Sequence, residues 1–229
     1  MKVDIVNEDS FIIILSDCID LSLTAQIAAL VKQIQITLEG ALLDITPSYT
    51  TILVQVNLLK ISPLVAQQLL ISLCDKSDKP NSMLGKQIEL PVYYDVSVGW
   101  DLQKVALDNN LSIDEVIKYH KDKTYQVCAV GFAPGFAFLA ELDEQIAQPR
   151  HQSPRAFVPA GSVAIADRQT AVYPSDSPGG WHIVGNCPTQ LFDITSNPIS
   201  PFEVGDTVKF TAINQQQFIA LGGKIIEQQ

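Results

Sequence analysis

The stretch FVPAGSVAIADRQTAVYPSDSPGGWHIVG, residues 157–185, decides the fold. Its apolar runs FVPAGSVAIA, TAVYP and HIVG are short, and glycine and proline cut them apart. Short β-like runs with turn signals between them predict an antiparallel barrel or sandwich. The same rhythm starts upstream at YQVCAVGF (125–132) and continues through QLFDIT (190–195) and DTVKFTAI (206–213).

The chain before this region reads differently. FIIIL (11–15) is strand-like, and LSLTAQIAALVKQI (21–34) carries Leu23, Ile27, Leu30 and Ile34 at helical spacing. ALLDIT and TILVQV are strand-like again. Ser62-Pro63 then opens a helix through Cys74, with Ser62 as N-cap and Pro63 where a missing N–H costs nothing. With a closing strand at Gln87–Val92, the order fits a ferredoxin-like split βαβ sandwich. The expected class is therefore α+β, with a small N-terminal domain at 1–85 and a β-barrel domain at 86–229. KSDKPNSMLGK (76–86) is the candidate linker. Asp101 is placed to cap LQKVALDNN, and Ser112 with Glu115 forms a capping box for a helix through Tyr119. His120 follows at the edge of that helix's apolar face. The tail from Ile213 reads as a short helix and a fraying end.

Composition narrows the partners. Fifteen Lys and Arg against 25 Asp and Glu leave a net charge of −10, which argues against nucleic acid. No apolar run approaches a membrane span. MKVDIVNEDS lacks the apolar core of a signal peptide, so the expected location is the cytoplasm. Cys18, Cys74, Cys128 and Cys187 have no metal-ligand spacing and are expected as reduced thiols, with no metal site.

The specialised residues collect in one place. Residues 131–188 hold six of the 12 glycines, seven of the 13 prolines, all three arginines and no lysine. A planar guanidinium clamps carboxylate or phosphate with two parallel hydrogen bonds, so the segment is read as an anion-recognising one. In GFAPGFAFL (131–139), Gly131 and Gly135 permit backbone conformations closed to other residues, and Phe132, Phe136 and Phe138 alternate along one wall. In SPGGW, Pro178-Gly179 suits the centre of a type II turn, Gly180 can expose its amide to an oxyanion, and Trp181 covers the turn. His182 is read as structural or supporting. No GxxxxGK[ST], HExxH or GxSxG motif is present.

GFAPGFAFL together with PRHQSPRAFVPAGSVAIADRQTAVYPSDSPGGWHIVG (149–185) resembles the KipI/PxpB family, whose members have been described as allophanate hydrolase and 5-oxoprolinase subunits. The match is dense from Val92 to Phe210. The loop YYDVSVGWDL departs from the glycine-rich form usual there. The resemblance implies a cyclophilin-like barrel that works with a PxpC/KipA-type subunit and a PxpA-type subunit. The implied activity is ATP-dependent cleavage of 5-oxo-L-proline to L-glutamate. ATP, with magnesium, would be bound by or with a partner, and the chain alone would be inactive. Two other readings come with it: a KipI-type inhibitor that binds a sensor histidine kinase, and a urea carboxylase or allophanate hydrolase-related subunit. As catalytic residues it implies Arg155, pairing with a carboxylate or phosphate; Gln169, Gly179 and Gly180, donating to an oxyanion; and Tyr173, walling the site. Phe132, Pro134, Gly135, Phe136, Gly161, Ser162, Thr170, Pro178, Trp181 and His182 would line the substrate pocket.

Overall fold

The structure is a computed structural model that describes residues 1–76 and 85–226. Most of the expected linker (77–84) and the last three residues of the tail lie outside the described residues. The chain divides into two compact units. One is Met1–Lys86 with Cys128–Val130 and Glu203–Asp206; the other is Gln87–Val127 with Gly131–Phe202 and Thr207–Gln229.

In the first unit, β1 (Lys2–Ile5), β2 (Ser10–Ile14), β3 (Leu42–Pro47) and β4 (Thr51–Val56) form one antiparallel sheet in the order β1-β2-β4-β3. Alternation along β2 and β4 sends Phe11, Ile13, Ile52, Val54 and Val56 into the core. Two helices contribute to that core: α1 (Thr24–Thr37) through Ile27, Leu30 and Ile34, and α2 (Pro63–Asp75) through Ala66, Leu70 and Cys74. Leu23 ends a single 3₁₀ turn ahead of α1. As expected, Ser62 caps α2 by accepting the Val65 amide, with Pro63 in the first turn.

The ferredoxin-like expectation needs correction at its last strand. Gln87–Val92 belongs to β5 (Gln87–Tyr93), which sits in the barrel, and the fourth place in the N-terminal sheet is taken by β1. A half-buried strand pattern does not name its partner. β5 finds one more than a hundred residues downstream, pairing in parallel along its whole length with β13 (Thr207–Ile213).

The second unit is mixed α/β and built on a closed seven-stranded barrel. The remaining strands are β6 (Thr124–Val130), β7 (Ala137–Ala140), β8 (Arg155–Val158), β9 (Ser162–Ala166), β10 (Gln169–Val172), β11 (Ser177–Gly179) and β12 (His182–Asn186). The barrel order is β10-β7-β6-β13-β5-β12-β9, while β8 and β11 form a separate two-stranded ribbon. The expected antiparallel barrel is thus antiparallel in its registered pairs except at β5–β13. QLFDIT forms no strand.

Three helices complete this unit: α3 (Leu102–Asp108), α4 (Ile113–Asp122) and α5 (Gln215–Ala220). The capping box at α4 is present in both halves: the Glu115 amide donates to Ser112 Oγ at 3.2 Å, and the Ser112 amide donates to Glu115 Oε2 at 2.8 Å. It places His120 within the barrel's polar core, fully buried rather than at its edge. No helix among the described residues is long and apolar enough to cross a membrane.

Candidate functional site

The site is a hollow of about 300 Å³ in the second unit, at the lower end of the size range for small-molecule pockets. Its aromatic wall comes from three segments. The loop between β6 and β7 supplies Phe132 and Phe136, β7 supplies Phe138, and the chain around β11 supplies Tyr173 and Trp181. The rings meet edge to face: Phe136 lies 5.4 Å from Tyr173 and 5.8 Å from Trp181 between centroids, and Phe138 lies 6.0 Å from Trp181. Gly135 turns the loop in the left-handed region at φ 82°, where a Cβ would also strike the Leu191 carbonyl. The other left-handed position is Phe132 itself, at φ 76°, rather than Gly131.

The SPGG segment differs from the expected type II turn. Ser177–Gly179 is a strand paired with β8, and Gly179 lies opposite Arg155. Neither Gly179 nor Gly180 has a positive φ. Gly179 is required for another reason: a Cβ there would fall on the Tyr173 hydroxyl. Gly180 accepts the His151 amide on its carbonyl at 2.8 Å.

Beside the aromatic wall lies a charged cluster that sequence reasoning missed. Asp101 is 3% exposed. Its Oδ1 accepts Arg155 Nη2 at 2.7 Å and its Oδ2 accepts the Ile183 amide at 2.8 Å, while its own amide donates to the Ile183 carbonyl. These bonds replace the expected helix cap: Asp101 makes no side-chain bond to the start of α3. A buried carboxylate gains more from a guanidinium than from a helix-end amide. Burial opposes its ionisation, but the Arg155 hydrogen bond, the Ile183 amide and the nearby charges outweigh that and hold Asp101 below the usual carboxylate range.

Arg155 Nη1 also donates to His151 Nε2 at 2.9 Å. That bond puts the His151 proton on Nδ1 and keeps the ring neutral. The His182 ring packs 3.9 Å from His151 and donates through Nε2 to the Pro149 carbonyl. Its Nδ1 is buried without a partner among the described residues, and burial chiefly lowers its pKa. Donor atoms of Asp101, His151 and His182 lie within 4.8 Å of one another, a spacing that suits a metal ion. Here the Arg155 guanidinium bridges Asp101 and His151 and supplies the positive charge.

Of the residues singled out from the sequence, the structure brings Phe132, Phe136, Tyr173, Pro178, Gly179, Gly180 and Trp181 to this hollow. Arg155 and His182 lie behind it in the charged cluster. Pro134 and Gly135 belong to the loop carrying Phe132. Four others lie elsewhere. Gly161 lines a separate hollow of about 340 Å³. Ser162 is buried in β9 with its hydroxyl unpartnered. Gln169 opens β10 opposite Ala140 and Ala166. Thr170 is buried and bonded to His120. Asp101, Phe138, Arg150, His151 and Pro154 are additions. Arg150, His151 and Pro154 stood inside the arginine-rich segment, whereas Asp101 gave no sequence signal because its partner is 54 residues away.

Known proteins share this architecture. The family model described as carboxyltransferase domain, subdomain C and D, matches residues 1–202. The PxpB-type 5-oxoprolinase chain of Bacillus subtilis strain 168 is 47% identical over 133 residues, which are 58% of this chain and 55% of that one. The protein of the same name from Haemophilus influenzae is 40% identical over 132 residues, or 58% and 62% of the two chains. The matched region thus spans little more than half the length of these relatives. The crystal structure of TTHA0988 superposes with a TM-score of 0.80 at 30% identity, covering 90% of this chain and 40% of that one. The conserved uncharacterized protein PH0987 from Pyrococcus horikoshii gives 0.57 at 37% identity, over 95% of this chain and all of its own. The Kluyveromyces lactis urea carboxylase shares the fold, with a TM-score of 0.74 at 15% identity over 95% of this chain and 22% of that one. Fold, motifs and relatives agree, and the chain belongs to the KipI/PxpB family of carboxyltransferase-type subdomain C and D proteins.

Proposed function

We propose that the chain is the PxpB-type component of an ATP-dependent 5-oxoprolinase and that it holds the lactam while partner subunits of PxpC and PxpA type complete the site. The observation that carries this reading is the aromatic hollow backed by arginine, in a chain whose curated relatives are named as 5-oxoprolinase subunits of this type. Its size suits a small ring, and its walls offer flat apolar faces with a few polar groups at one end.

The residues present do not fit magnesium and ATP. The hollow is small for a nucleotide, and the one buried carboxylate beside it is already neutralised by Arg155. Nucleotide chemistry is therefore assigned to a partner or to the junction with one. This chain's part is to bind and orient the ring, exclude water from its apolar face, and stabilise charge on the carbonyl that is attacked. A preorganised pocket suits that task, because the guanidinium, carboxylate and two imidazoles behind the wall hold one another in place.

Co-purification with PxpC- and PxpA-type subunits, followed by a phosphate-release assay, tests the proposal. The expected result is phosphate release that depends on 5-oxo-L-proline and yields L-glutamate in step. Absence of that dependence in the assembled complex sinks the reading. Loss of autophosphorylation in a sensor histidine kinase on adding the chain alone would put the regulatory reading in its place.

A further inference from the structure

We infer that Arg150 is the residue that takes the carboxylate of a small ring-shaped substrate, while Arg155 acts only from behind the wall. The inference rests on the reading of the hollow as the substrate pocket and assigns a recognition element within it.

The three arginines differ in what surrounds them. Arg155 is committed to the buried Asp101, with His151 on its other nitrogen. Arg168 bonds Glu141 and Glu144. Arg150 lines the hollow and forms no ion pair among the described residues, in a chain with ten more acidic than basic side chains. It is also seated: its guanidinium carbon lies 5.7 Å from the centre of the Trp181 ring, within cation–π range. Trp181 is itself buried and packed on Phe136 and Phe138, so the seat is rigid.

A second donor faces the same space. The Tyr173 hydroxyl belongs to a residue 2% exposed and accepts the Trp181 amide. Its proton goes to no acceptor among the described residues. Arg150 and Arg155 both act electrostatically on this hydroxyl. A guanidinium and a phenol at one end of an aromatic cup fit a carboxylate attached to a flat apolar ring. A neutral ring would leave the guanidinium without a counter-charge, and an anion lacking a ring would leave the aromatic wall wet. The pocket is thus selective for the combination.

The test is calorimetric titration of the full chain, alone and co-purified with its partner subunits, using three probes. 5-Oxo-L-proline carries lactam and carboxylate, 2-pyrrolidinone the lactam alone, and cyclopentanecarboxylate a ring with the anion alone. Arg150→Gln is expected to weaken both carboxylates on the order of ten- to a hundredfold, the range for a charge-assisted hydrogen bond. Binding of 2-pyrrolidinone should stay within about twofold, with an unchanged melting temperature, and Arg150→Lys should regain part of the loss. Equal weakening of all three probes, undiminished carboxylate binding, or failure of the wild-type chain to bind either carboxylate would overturn the inference. If cyclopentanecarboxylate binds through Arg150 while 5-oxo-L-proline does not bind at all, the proposed enzyme activity falls and this assignment stands.

Discussion

Single residues in this barrel are defined by their hydrogen-bond partners more than by their type. His120 is the clearest case. The Thr170 hydroxyl has one proton and gives it to the Ala164 carbonyl, so toward His120 it must accept. The ring therefore donates from Nε2 at 2.8 Å and accepts the Tyr94 hydroxyl on Nδ1 at 2.7 Å, a neutral tautomer with both nitrogens satisfied. Phe210 stacks on the ring at 4.7 Å and Tyr125 lies beside it. Burial lowers the pKa from 6.5 to about 3. Below pH 6.5 the unfolded chain takes up a proton that the folded chain refuses, so stability falls with pH until about pH 3 and is fully present above 6.5. The slope is about 1.4 kcal/mol per pH unit for one such proton. His182 shifts in the same direction and adds to the acid loss. Urea unfolding at pH 7.5 and pH 5 checks this. Wild type should lose stability between the two, and His120→Gln, less stable at pH 7.5, should lose about 2 kcal/mol less on acidification. Identical losses would show that His120 is not the group refusing the proton.

At the scale of elements, the short ribbon of β8 and β11 sets the site, and its two glycines do different work. A Cβ on Gly179 meets the Tyr173 hydroxyl, whereas one on Gly180 finds Pro154 at 3.7 Å, an ordinary contact. Gly179→Ala should push Tyr173 out of the wall and cost on the order of 1–3 kcal/mol, as overpacking does. Gly180→Ala should melt within about 0.5 kcal/mol of wild type, as mild substitutions do. Thermal melts of the two variants check the contrast, and equal melting temperatures would remove the steric argument. The sequence revealed that these glycines mattered but assigned them to a turn, because Pro-Gly is a local signal and the Tyr173 ring is a tertiary one. The same division runs through the fold. Helices with local punctuation, such as Ser62-Pro63 and Ser112 with Glu115, were legible to the residue. β5 was legible as a strand but not in its partner, since parallel pairing across a long separation leaves no turn to read. In the site, the aromatic wall was legible from its spacing in GFAPGFAFL. The Asp101–Arg155 pair was not, because a buried ion pair is made by two segments that carry no mark of each other.

For the molecule as a whole, the question is what the exposed aromatic rim of the pocket is for. Phe132 is 67% exposed and held at φ 76°, a conformation that costs a side chain of this kind on the order of 1 kcal/mol. The loop is fixed around it by the Gly131 amide on the Phe136 carbonyl and the Phe136 amide on the Ala133 carbonyl. Within the chain the ring gains only an edge contact with Phe136 at 5.2 Å and a distant one with Tyr173. Those contacts leave most of its surface in water, so the isolated chain gains little from a phenylalanine at this position. On the proposed reading the gain comes in the complex, where a rigid exposed aromatic ring is the usual form of an interface anchor. Asparagine adopts the left-handed conformation more readily than phenylalanine. Phe132→Asn should therefore melt at or above the wild-type temperature yet fail to co-purify with the PxpC-type subunit, and 5-oxo-L-proline-dependent phosphate release should go with it. Intact co-purification with weakened binding of 5-oxo-L-proline would instead make Phe132 a wall of the pocket and not a contact between subunits. A lower melting temperature would show that the ring stabilises the loop it sits on, and the interface argument would lose its premise.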